Sequence, residues 1–236
     1  MKFAVIVFPG TNGDYDAYDV LSRTLQQPVE RVWHERENLD EFDCAILPAG
    51  FSYGDYLRTG AIARFSPVMR GIEKMAADGK LVLGICNGFQ ILLEAGFLPG
   101  AMRKNDSLQF RNVWVNVKVE NHSLPFTNLY KKGQILKMDI AHGEGNYYVD
   151  EETLLDMKKN NQIVLRYCSS DGKISTGDNP NGALENIAGI CNRQGNVMGL
   201  MPHPERSSEI LIGSVDGKTL FSSMLNGWKG REPIGS

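Results

Sequence analysis

Apolar and polar positions divide the chain into two halves of different character. In the first half, Phe3 to Phe8 is a short apolar run, Val29 to His34 alternates, and Ala45 to Leu47 and Leu81 to Ile85 are again apolar throughout. Runs of this length and composition read as strands. Between them, Asp14 to Gln26 and Pro67 to Ala77 repeat apolar residues at helical spacing, and Gly79 supplies a C-terminal stop. Strands apolar on both faces and alternating with helices predict an α/β fold, a mostly parallel sheet flanked by helices. The second half is β-rich. Val113 to Glu120, Ile135 to Ala141, Ile163 to Cys168, Ile187 to Cys191 and Val197 to Met201 are strand-like and are separated mainly by turns such as Asn179-Pro180-Asn181-Gly182. Helices are predicted at Leu154 to Asn160 and Thr219 to Trp228. With no repeat and no linker, residues 1–228 read as one domain and 229–236 as a disordered tail.

The stretch Lys80 to Glu94 joins a buried strand to a helix, with Cys86 at the join and glycines at 84 and 88. This is the pattern of a nucleophile elbow, in which a sharp strand-to-helix turn holds a reactive side chain in the open. The first N–H groups of the following helix favour negative charge on the sulfur. The alternative is a cysteine packed as a small hydrophobe.

Composition narrows the function. The 236 residues carry a formal net charge of −3 and no basic stripe, which argues against nucleic acid. No apolar run is long enough for a membrane span, and the N-terminus reads as a first strand rather than a signal peptide, so a cytoplasmic location is expected. Cys44, Cys86, Cys168 and Cys191 are scattered without a CxxC pair, an argument against zinc and against a disulfide framework. Three of the four sit in buried strand-like runs and are expected to be inert. Only Cys86 has a reactive setting.

A cysteine nucleophile needs a base and a third group that orients the base. Of the four histidines, His34 and His122 are expected to be solvated. His142 and His203 each have a carboxylate two residues on, Glu144 and Glu205, which lies on the same side of an extended chain. Pro202 and Pro204 stiffen the His203 segment, whereas Gly143 and Gly145 loosen the other. His203 is therefore the expected base and Glu205 its orienter; His142 and Glu144 are expected in a flexible loop near the pocket or in no chemical role. The backbone N–H of Asn87 is the first expected oxyanion donor, and Pro48 to Ser52, after another strand, offers a second. Gly213 to Thr219 looks like a phosphate-binding loop but has three residues between its glycines rather than four and follows no strand, so no nucleotide site is expected on this chain.

Gly84 to Gln90 together with Pro202-His203-Pro204-Glu205 resembles the class I, triad, glutamine amidotransferases. Pro9 to Asn12, Phe51 to Arg58, Ala141 to Gly145 and Met201 to Arg206 make the chain similar, within that class, to the glutaminase subunits of phosphoribosylformylglycinamidine synthases, from Met1 to about Trp228. The resemblance implies a flavodoxin-like α/β layer and hydrolysis of L-glutamine to glutamate and ammonia. Cys86 would form a γ-glutamyl thioester, with His203 as base and then acid and Glu205 as orienter. Gly50 or Phe51 and Asn87 would supply oxyanion N–H groups. Phe51 and Gln90 would line the glutamine pocket, with His142, Glu144 and Arg58 at the pocket mouth or a partner interface. It further implies a separate synthase subunit that uses ATP and magnesium on formylglycinamide ribonucleotide, a small bridging subunit, and no cofactor on this chain. Two positions depart from the family: Ala49 replaces the first of two usual glycines, which would strain the loop if that position needed φ > 0, and Gly13 stands where many members carry cysteine. A free-standing Cys-His-Glu amidase or γ-glutamyl hydrolase, and a non-catalytic amidotransferase-like subunit, remain the alternatives.

Overall fold

The structure is a computed structural model that describes residues 1–229. Its elements follow the chain as β1 (Phe3–Val7), α1 (Asp14–Asp19), β2 (Val29–Trp33), β3 (Cys44–Leu47), α2 (Val68–Ala77), β4 (Leu81–Ile85) and α3 (Asn87–Glu94). The second half holds β5 (Ala101–Arg103), β6 (Arg111–Val119), β7 (Ile135–His142), β8 (Asn146–Tyr148), α4 (Glu151–Lys159), β9 (Ile163–Cys168), β10 (Ile187–Cys191), β11 (Val197–Leu200) and α5 (Asp216–Lys229). The expected strands are present to within a few residues. Two short ones, β5 and β8, carry no alternating signal; they pair with each other in a separate two-stranded sheet. The first helix turns into a π-helical segment over Val20–Thr24. The tail expected beyond residue 228 lies outside the described residues except for 229, which belongs to α5.

The main sheet has nine strands in the order β2-β1-β3-β4-β11-β10-β9-β6-β7. The block from β2 to β11 is parallel, and the remaining pairings are antiparallel. The change of direction follows the connections, because helical crossovers join parallel neighbours while short turns such as the one between β10 and β11 join antiparallel ones. β3, β4, β10 and β11 are buried along their whole length. That is why they read as continuous apolar runs. Helix α2 buries Val68, Met69, Ile72 and Met75 on one side, and α5 buries Leu220, Phe221 and Met224.

Parallel strands deliver their carboxyl ends to one edge, and four loops meet there. They follow β1 (Pro9 and Gly10), β3 (Ala49 and Gly50), β4 (Cys86) and β11 (Met201 to His203), with Leu47 opposite Gly84 and Leu200 opposite Ile85 in the ladder. Helix α3 is pressed close to the sheet. A Cβ on Gly88 would lie 1.8 Å from the Leu47 carbonyl oxygen, one on Gly84 would lie 2.7 Å from the Gly88 backbone, and one on Gly199 would lie 2.1 Å from the Phe89 ring. These glycines set how deep the helix sits.

Gly88→Ala is accordingly expected to cost about 2–3 kcal/mol in urea unfolding, since backbone rather than a mobile side chain must give way. Gly177→Ala, where the nearest atom to a new Cβ is 3.7 Å away, is the matched control and should stay within about 0.5 kcal/mol of the parent. Equal losses at the two positions would contradict this account of the helix seat.

Candidate active site

Cys86 is the N-cap of α3 and has φ 51° and ψ −105°. Such a conformation costs a residue with a side chain on the order of 1–3 kcal/mol and persists only where the surroundings fix it. Here the Cys86 N–H donates to the Leu200 carbonyl at 2.8 Å, and the two flanking glycines allow the turn. Its side chain is 5% exposed and lines a cavity of about 180 Å³ with Gly50, Phe51, Asp55, Thr59, Gln90, Phe110 and the β7 end from Ala141 to Glu144. The other three cysteines are buried, and burial pushes each of their thiols up, to about 12 for Cys191.

His203 is held by its own backbone, whose N–H donates to the Asp139 carbonyl at 2.9 Å. Its Nδ1 donates to Glu205 Oε1 at 2.7 Å, and both side chains are almost fully buried. The carboxylate reaches the ring by a route other than extended spacing. Pro204 is helical, at φ −65° and ψ −30°, and Glu205 opens a 3-10 turn, so the pair closes across a tight turn. With Nδ1 donating, Nε2 is the nitrogen that takes up and gives back a proton. It is buried and makes no formed hydrogen bond, while the Cys86 thiol donates to the Ala141 carbonyl at 3.7 Å. The thiol nevertheless acts on the ring. Burial would lower the His203 pKa, but the Glu205 charge and Cys86 outweigh it and raise it from 6.5 to about 10.

His142 is a correction to the flexible-loop expectation. It ends β7, is 3% exposed, and burial followed by the His203 charge lowers its pKa to about 3, so it is neutral. Asn181 Oδ1 accepts from the Ala183 N–H at 3.1 Å, which turns Asn181 Nδ2 toward His142 Nε2 at 3.0 Å. An imidazole that accepts at Nε2 carries its proton at Nδ1. That Nδ1 is buried and has no partner. His34 is a second correction. It is half-buried, pairs through Nδ1 with the Tyr53 hydroxyl at 3.1 Å and packs against Phe8 and Trp33, whereas His122 is exposed as expected.

Asn87 and Gln90 tie the elbow to the loops around it. The Ser52 N–H donates to Asn87 Oδ1 at 3.0 Å, Asn87 Nδ2 donates to Gln90 Oε1 at 2.9 Å, and Gln90 Nε2 donates to the Glu144 carbonyl at 2.6 Å. Among the expected oxyanion donors, the Asn87 N–H lies in the first turn of α3, where no intrahelical acceptor exists. Phe51 must be revised as a donor, because its N–H is engaged with the Gly10 carbonyl at 2.9 Å; its ring lines the cavity mouth opposite Phe110. Arg58 does not line the cavity. Its guanidinium forms a bidentate pair with Glu94 at 2.9 and 2.7 Å on the surface. Ala49 is not among the residues with positive φ, so the feared strain is absent; a Cβ on Gly13 would lie 2.9 Å from the Ala49 Cβ. Thr59 and Asp139 were not singled out by the sequence, and Asp55 and Asn181 stood in quoted stretches, Phe51 to Arg58 and Asn179 to Gly182, without a role of their own.

An elbow cysteine at a cavity, acting on a buried histidine that a glutamate holds, has the components of a thiol hydrolase. The model of the CobB/CobQ-like glutamine amidotransferase domain matches residues 1–223, and the chain belongs to that family. More particularly, it is 55% identical over 236 residues to the phosphoribosylformylglycinamidine synthase subunit PurQ of Moorella thermoacetica, covering 100% of both chains. It is 55% identical over 225 residues to the subunit of the same name from Gloeobacter violaceus, covering 95% of this chain and 97% of that one. Among solved structures it matches a chain of PurLQS from Thermotoga maritima with a TM-score of 0.84 and 44% identity over 95% of this chain and 97% of that one. Among the described residues, no helix is long and apolar enough to cross a membrane.

The raised His203 value has a signed consequence. Because the folded value of about 10 lies above the ordinary 6.5, protonated His203 stabilises the fold fully below about pH 6.5, and this is lost as pH rises toward 10. Glu205→Gln removes the charge that holds the value up. The urea midpoint of the parent should therefore fall more across that window than the midpoint of the variant, and parallel curves would place the effect elsewhere.

Proposed function

We propose that the chain is the glutaminase subunit of a phosphoribosylformylglycinamidine synthase, hydrolysing L-glutamine and passing the ammonia to a synthase subunit. The observation that carries the chemistry is Cys86 at positive φ on the mouth of α3, lining the cavity and acting on the ring of His203, whose Nδ1 is held by Glu205. The synthase assignment rests on the name shared by the full-length relatives.

In the first step the Cys86 sulfur attacks the side-chain amide carbon of glutamine with the proton it gives up already held on His203 Nε2, as the raised His203 value favours. The oxyanion is held at the Asn87 N–H, with Gly50 as the second donor. The C–N bond then breaks as His203 returns the proton to the leaving nitrogen, which departs as ammonia. Water, deprotonated by His203, attacks the γ-glutamyl thioester, and glutamate leaves as the thiol is re-formed. Glu205 keeps the ring in the required tautomer throughout. ATP, magnesium and formylglycinamide ribonucleotide belong to the synthase subunit in this reading, a small bridging subunit completes the assembly, and the reaction takes place in the cytoplasm.

Glutamate release from glutamine, by the chain alone and by the chain with synthase subunits, ATP and formylglycinamide ribonucleotide, tests the proposal. The rate should be low alone and rise sharply in the complete mixture. Cys86→Ala should abolish glutamine-dependent synthesis and leave ammonia-dependent synthesis intact. A high rate that ignores the partners would point to a free-standing amidase, and glutamine use that survives in Cys86→Ala would remove Cys86 as nucleophile.

A further inference from the structure

The charged side chains lining the Cys86 cavity are both acidic, Asp55 and Glu144. Among the described residues neither is paired with lysine or arginine; their side-chain partners are neutral, Asn87 Nδ2 at 3.4 Å from Asp55 Oδ1 and Thr59 Oγ1 at 3.0 Å from Glu144 Oε2. The two carboxylates feel each other. Burial, then the Glu144 charge, raises the pKa of Asp55 to about 6. Two acids held near one another in a half-enclosed cavity repel, and that arrangement is costly unless a cation enters between them.

The loop that presents Asp55 is built under strain. Tyr53, Asp55 and Leu57 all have positive φ. The loop is pinned by Tyr53, whose N–H donates to the Pro9 carbonyl at 2.7 Å and whose hydroxyl lies 3.0 Å from Ser66 Oγ. An independent feature of the same cavity points to a ligand: His142, a lining residue, is buried and neutral and has an Nδ1–H with no acceptor. An unmet donor together with unneutralised acids, beside a nucleophile for amides, is the chemical complement of an amino acid's ammonium and carboxylate.

We propose that Asp55, with Glu144, binds the α-ammonium group of the substrate and so restricts the site to free α-amino acid amides, as opposed to other primary amides of the same length. This rests on the reading that the cavity takes glutamine. Gln90 is then a positioning residue here, since its amide is spent on Asn87 and on the Glu144 carbonyl, which fixes where the Glu144 segment stands. The cation is recognised by the carboxylates around it.

The test compares kcat/KM for L-glutamine and for 4-carbamoylbutanoate, the same amide without the α-ammonium, in the chain assembled with its synthase partner. Asp55→Asn is expected to lower the value for glutamine about tenfold or more and that for the desamino amide by less than about twofold, so that discrimination collapses. Asp55→Glu, which keeps the charge, should restore part of it. Should Asp55→Asn not fold, Glu144→Gln carries the same expectation. Equal losses on both amides, or no loss on glutamine, would overturn the assignment while a parent active on glutamine left the functional proposal standing. A parent inactive on glutamine in the full assembly would overturn both.

Discussion

The structure depends on how closely α3 approaches the sheet. Gly88 lies so near the Leu47 carbonyl, and Gly84 so near Gly88, that no side chain fits at either position, and the chain between them must turn within a single residue. That residue is Cys86, forced into positive φ. The strain is local, but what sustains it is global, because the depth of the helix is set by the packing of α3 against β3, β4 and β11. A reactive sulfur thus stands at the sheet edge because hydrophobic burial elsewhere holds it there.

From the elbow, a chain of amides carries position outward. Asn87 and Gln90 occupy the first turn of the same helix, and their side chains run from the Ser52 N–H to the Glu144 carbonyl. The loop after β3 and the segment after β7 are therefore both registered to the nucleophile, and Thr59 to Glu144 ties them to each other. The two buried histidines of the site take opposite states from their neighbours. A carboxylate at Nδ1 keeps His203 protonated readily, whereas an amide donor at Nε2 and a dry setting keep His142 neutral. One ring can exchange protons, and the other holds its proton at a fixed nitrogen.

The parallel half of the fold was legible because its strands are buried on both faces and its helices have one apolar side, so periodicity and burial coincide. β5 and β8 were not legible: strands of three residues paired only with each other have no pattern long enough to read. In the site, Cys86 and the His203 segment announced themselves through glycines and prolines, which act within a few residues. His142 did not. Its surroundings come from Asn181 and Tyr167, distant in sequence, and the adjacent glycines suggested freedom where tertiary contacts impose burial. Gly145 is in fact small because the His142 ring fills the space that its Cβ would occupy. The Phe51 N–H was offered, as an alternative to Gly50, by the family resemblance, and only the fold reveals that the Gly10 carbonyl has already taken it.

Gly13 and Ala49 illustrate how such contacts constrain change over time. A methyl group at 49 occupies the space that a Cβ at 13 would need. A glycine at 49 with a side chain at 13 would be the opposite solution to the same crowding. The two positions share room for one side chain, so they cannot drift independently. Passage between the two solutions runs through an intermediate with glycine at both, and a loop transplanted from a relative into this chain would have to bring its partner residue with it.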